Sequence, residues 1–292
     1  MFKTRRKNAL LVAVLLLLTP SFVVATLSSC TSNSIADISS PCKFAPGVHS
    51  YTSLTVRTEV FLETTSGSSQ HFFNVSQTFD IQANGRLVLD YNKESGSNPG
   101  AGVLTSGSTG RSGGSYGGRA GAAAKTPLST SQAESYGSAF VVTQPGSNGG
   151  GDPNTRGRGG GFLKIYARKL VVAGTVQANG QRAQQNDGGG SGGGISVDCF
   201  EIDGNGRMEA SGGMGSGEGG GGGGGRISVQ FQHGSFLGQA KAYGGRTGKT
   251  ESFICFIFRD RAYDFRFDCV PFCSLRQTCD IYMTEDSNSD FY

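Results

Sequence analysis

The chain has 292 residues, of which 48 are glycine, and 44 of those glycines fall between Gly96 and Gly245. Collagen is excluded, because no Gly-X-Y register runs through the glycines and only 8 residues are proline. The formal net charge is +4, but residues 1–25 carry four basic and no acidic residues, so the remainder is neutral and offers no net positive charge to nucleic acid.

Residues 1–25 read as a secretory signal peptide. Lys3, Arg5, Arg6 and Lys7 precede an apolar run from Ala9 to Leu18, and Val23 and Ala25 supply small residues before the cleavage point. The run is too short to span a bilayer, which takes roughly 20 residues, so no membrane span is expected. A second reading treats Leu27-Ser28-Ser29-Cys30 as a lipobox that anchors the chain through Cys30.

Residues 26–95 read as an N-terminal β region or cap, with strand-like runs at residues 53–62 and 71–89. Asn74-Val75-Ser76 is an N-glycosylation sequon in a secreted eukaryotic chain. In an oxidising compartment Cys30 and Cys42 form a natural pair, and Cys255, Cys269, Cys273 and Cys279 form a tail cluster able to close two bridges. Cys199 is then left over, and a buried thiol is the expected role. The tail spacing lacks the paired cysteines of a zinc site, and no metal or other cofactor is expected.

Residues 96–160 form a glycine-rich, loop-rich segment, and residues 161–249 carry three copies of a 32-residue repeat. Leu163, Ile195 and Ile227 hold the same register as Ile165, Val197 and Val229, and as Gly174, Gly206 and Gly238. Ala178, Ala210 and Ala242 continue it, followed by Gly180, Gly212 and Gly244. Each copy opens on a period-2 strand pattern, reaches a column glycine suited to a positive-φ turn, and ends in a glycine-rich excursion. Upstream, Phe79 to Leu87 matches Phe200 to Met208 position by position, as a degenerate copy. Copies in one register that cannot bury their apolar face alone predict an all-β chain with a parallel β-helix or solenoid of 32-residue repeats and glycine-rich loops. The alternative is a β-sandwich with long glycine loops.

The order of the glycine blocks carries a resemblance. Gly113 to Arg119 reads Gly-Gly-Ser-Tyr-Gly-Gly-Arg, and Tyr136-Gly-Ser and Pro145 to Gly151 follow. Next come Gly174 to Gly180, Gly189 to Val197, and Gly221 to Val229. This half of the chain resembles the glycine-rich repeat of secreted and cell-surface proteins of animals, plants and protists. The resemblance implies an extracellular β-rich glycine scaffold and carries no catalytic residues. After Gly245 the pattern stops. Residues 250–292 hold ten aromatic residues and no glycine, and read either as a Cys-rich cap or as a gene-model artefact.

Other motifs have plainer readings. Residues 244–250 miss the phosphate-loop spacing by one residue, and Asp203-Gly204-Asn205-Gly206 reads as a turn lacking the ligands of a calcium loop. His49, His71 and His233 are scattered, and no nucleophile has a partner motif. The expectation is a non-enzymatic secreted structural or adhesive protein of matrix, wall or cell coat. Its partners would be extracellular glycans or proteins, with self-association open and nucleic acid excluded. The alternative is a carbohydrate-binding or carbohydrate-active β-helix protein with Tyr166, Asp198, Phe200, Glu201 and Asp203 facing the glycan.

Overall fold

The computed structural model describes residues 27–30, 33–66, 68–89, 91, 99–103, 110–123, 133–138 and 141–246, and the backbone of 256–260. The signal-peptide reading and the tail cysteines Cys255, Cys269, Cys273 and Cys279 lie outside the described residues.

Among the described residues there are fifteen strands and no helix. The first seven are β1 (Ile35–Ile38), β2 (Cys42–Phe44), β3 (Gly47–Tyr51), β4 (Ser53–Val56), β5 (Glu59–Leu62), β6 (Gln70–Ile81) and β7 (Arg86–Leu89). The repeats supply β8 (Phe162–Val172), β9 (Thr175–Gln177), β10 (Gly194–Gly204) and β11 (Arg207–Glu209). They continue with β12 (Arg226–Phe231), β13 (His233–Phe236) and β14 (Gln239–Lys241), and β15 (Phe256–Asp260) follows.

These strands make two sheets. The larger runs β1-β4-β6-β8-β10-β12-β15, with β3 also on β6 and β13 also on β10; the smaller runs β14-β11-β9-β7-β5-β2. Every pairing between named strands is parallel. The described residues are all-β, as expected, and their named strands do not pair in the antiparallel manner of a hairpin-built sandwich. Along the repeats the chain alternates between the sheets, giving a long strand to the larger and a short one to the smaller. The 32-residue spacing is the pairing register: Leu163 faces Ile195 and Ile195 faces Ile227 in the larger sheet, and Val176, Met208 and Ala240 align in the smaller.

Period-2 alternation turns one face of each sheet toward the other. Leu163, Ile165, Leu170, Val172, Ile195, Val197, Ile202 and Val229 come from the larger sheet and Leu87, Val176, Met208 and Ala240 from the smaller, in one core cluster. Each fully buried Val, Leu or Ile contributes about 1.5–3 kcal/mol. Cys199 is a buried thiol in this core, and Cys30 and Cys42 form a disulfide.

Two expectations are corrected at residue level. The upstream copy does not match position by position. Arg86 and Leu87 align with Arg207 and Met208 through β9, but Phe79 pairs with Leu170, which pairs with Ile202 rather than Phe200. The turn from Ile81 to Arg86 is two residues longer, and a slip of two keeps every side chain on its face. The column glycines also do not need positive φ. Gly204 and Gly234 have it (115° and 106°), whereas Gly174, Gly206 and Gly238 are not among the positive-φ glycines.

The glycine runs are not simple excursions. Residues 187–195 and 219–229 are buried throughout. The run 188–194 hydrogen-bonds with a period of three: Gly188 and Ser191 donate to Gly150 and Ser147, Gly189 and Gly192 to Gly220 and Gly223, and Gly190 and Gly193 to Gln181 and Ala178. It accepts from Gly114, Gly157, Gly160 and Gly213. One run therefore bonds to six neighbouring segments, where a strand bonds to two. A period of three without internal hydrogen bonds is the mark of the polyproline II helix. The runs pack as a bundle of such helices, so close that a Cβ on Gly190 would lie 2.0 Å from the Arg158 carbonyl oxygen.

The bundle has few side chains inside. Tyr116 is fully buried beside Tyr136, and the buried Arg226 guanidinium lies 5.4 Å from the Tyr116 ring centroid. Arg226 Nη2 donates to the Tyr136 carbonyl at 2.8 Å. Burial pushes the Tyr116 phenol up to about 12.

Candidate functional site

The strands of the larger sheet are interrupted at one level. Thr52 separates β3 from β4, Gln232 separates β12 from β13, and the β6–β8 register shifts between Val75 and Thr78. Strict alternation fails at the same level in β8 and β10: Arg168 and Lys169, then Phe200 and Glu201, are adjacent residues turned away from the core. An extra residue of this kind locally re-aims a strand, as in a bulge.

A hollow of about 510 Å³ follows this crease across the outer face of the sheet. Its volume falls within the roughly 300–1,000 Å³ of small-molecule sites. The register places one row of outward residues along it, Ser50–Asn74–Tyr166–Asp198, at about the 4.8 Å spacing of neighbouring strands. Ser76, Arg168, Phe200 and Gln232 complete the outward lining. Tyr166 and Phe200 are 39% and 44% exposed there. Lys164 Nζ stands 4.4 Å from the centre of the Tyr166 ring, and Phe200 meets His233 edge-on at 4.9 Å.

The sequence-predicted glycan-facing residues divide here. Tyr166, Asp198 and Phe200 line the hollow together, and Glu201 and Asp203 do not. Those two carboxylates lie beyond the crease and both pair with Lys169. The carboxylates hold Lys169 above its usual range, and the Lys169 ammonium holds Asp203 below the usual carboxylate range. Among the described residues, Asp198 is the one carboxylate in the lining. Ser50, Ser76, Arg168 and Gln232 were not singled out by sequence reasoning, since the interruption that gathers them leaves no mark in the repeat register. Asn74 was known only as a sequon.

A second cluster lies in the core near β3 and β6. His71 Nε2 donates to the Glu63 carbonyl oxygen at 2.7 Å, which leaves Nδ1 to accept from His49 Nε2 at 3.3 Å. Burial lowers the pKa of both imidazoles, that of His71 to about 4. His49 packs against Phe44 and Phe73 and stacks on His71, a structural role. Among the described residues no group of three or more His, Cys, Asp or Glu side chains is placed to hold a metal ion, and no helix is long and apolar enough to cross a membrane.

No protein-family model, curated protein or solved structure matches the chain.

Proposed function

We propose that the chain is a secreted, non-enzymatic structural or adhesive protein of an extracellular matrix, wall or cell coat, built as a β-solenoid scaffold. The observation that carries this reading is the 32-residue parallel register shared by both sheets, with glycine runs packed beside it through main-chain hydrogen bonds. Such a body is held by backbone and small residues, and its copies stack by nearest-neighbour contact. The Cys30–Cys42 disulfide suits an oxidising compartment, and it occupies the sulfur that acylation at Cys30 would need. The test is expression of the full chain with its own leader in eukaryotic cells. Recovery from the medium or the insoluble matrix supports the proposal, and retention of the intact leader in the cytosol contradicts it.

A carbohydrate-binding role has one specific observation in its favour, the meeting of Tyr166, Asp198 and Phe200 in the hollow. Glycoside hydrolysis uses two carboxyl groups flanking the bond, and the lining supplies Asp198 alone, which favours binding over cleavage. A glycan array on unglycosylated protein tests this reading. Signals lost in Tyr166→Ala support it, and signals unchanged by that substitution contradict it.

A further inference from the structure

We infer that the hollow on the larger sheet is the seat of the chain's own N-linked glycan, attached at Asn74, which closes the hollow to other sugars. The inference rests on the secretory reading above and assigns the occupant of the same site.

Three observations meet at Asn74. Phe72, Asn74 and Ser76 alternate outward along β6, so the sequon's acceptor and its hydroxyl both face solvent, with an aromatic ring two residues before the acceptor. Asn74 lines the hollow and is paired in register with Tyr166. Tyr166 and Phe200 stay exposed there, and Asp198, Arg168 and Gln232 supply acceptors and donors around them. The first N-acetylglucosamine of an N-linked chain leaves the amide nitrogen at the sheet surface. Its ring has an apolar C–H face that packs on aromatic rings and an acetamide and hydroxyls that need hydrogen bonds. The hollow offers both kinds of surface within one sugar's reach of the attachment point.

Attachment in mid-sheet also needs a time when the strand is open. The strand that covers the far side of β6 is β8, whose Tyr166 emerges about 90 residues after Asn74. Synthesis at roughly 5–20 residues per second leaves about 5–20 s in which β6 has no downstream partner. Modification during that interval precedes closure of the sheet, and the finished fold then lays the glycan stem across Tyr166.

The test is the full chain carried into the secretory route by a heterologous leader in place of residues 1–25, so that a failing native leader sinks the secretory reading without touching this one. Glycopeptide mass spectrometry of the secreted protein is expected to find Asn74 occupied. Enzymatic release of the glycan under native conditions is expected to be about fivefold or more slower than from Tyr166→Ala, the scale of one aromatic contact. Tyr166→Phe, which keeps the ring, is expected to retain the slow release and guards against a folding defect. Asn74→Gln is expected to open the hollow to free N-acetylglucosamine oligomers, which the glycosylated chain does not bind. Secreted protein with Asn74 unmodified, or equal release from wild type and Tyr166→Ala, overturns the inference.

Discussion

A Cβ built on Gly206 would stand 2.2 Å from the Gly174 carbonyl oxygen, and one on Gly238 would stand 2.2 Å from the Gly206 oxygen. Each of these column glycines is thus excluded from carrying a side chain by the repeat before it, with no left-handed dihedral involved. Gly206→Ala is expected to destabilise by about 1–3 kcal/mol through overpacking, and Gly206→Val by more. Denaturant midpoints check this, and an unchanged midpoint for Gly206→Ala contradicts it. His71 makes a second prediction at this scale. Its folded pKa of about 4 lies below the ordinary 6.5, so the unfolded chain binds the proton more readily between those values. Its contribution is complete above about pH 6.5 and is lost as pH falls toward 4, by roughly 3 kcal/mol in all. Urea midpoints measured from pH 7 to pH 4 are expected to fall more in wild type than in His71→Phe. Parallel pH profiles would contradict the assignment.

The strands carry a sharper contrast between neighbouring positions. Val229 is fully buried between the sheets, and Gln230, next to it on β12, faces outward. Val229→Asp places an unpaired charge in the core and is expected to unfold or aggregate the chain, while Gln230→Asp is expected to fold with a melting temperature within a few degrees of wild type. Equal stability of the two would refute the register. Much of this layer was legible in the sequence. Ile195, Val197, Ile227 and Val229 announce both the inward face and the spacing, because parallel copies repeat in space what they repeat along the chain. The offset of Phe79 was not legible, since a turn lengthened by two residues leaves the alternation intact. The crease was hidden for a related reason: it is made by Thr52, Gln232 and the adjacent outward pair Phe200–Glu201, which recur as interruptions and have no common residue type. Tyr166, Asp198 and Phe200 were legible as a candidate site, while Glu201 and Asp203 were separated from them by that same interruption.

For the whole molecule, the glycines of residues 145–161, 188–194 and 219–225 are a packed layer in their own right. Composition points to loops because glycine favours no conformation strongly, and what orders these runs is visible only as hydrogen bonds between segments far apart in sequence. A buried run needs its N–H and C=O groups satisfied, and here the neighbours that satisfy them come as close as they do because the glycines of the runs carry no Cβ. The scaffold reading depends on this layer, since these three runs hold 21 of the 44 glycines between Gly96 and Gly245 (8, 6 and 7). The claim is tested most directly by native-state hydrogen exchange read by mass spectrometry on peptides covering residues 188–194 and 219–225. Protection comparable to that of β10 is the result the bundle requires. Exchange of these runs at the rate of unstructured glycine peptides, with β10 still protected, would contradict it.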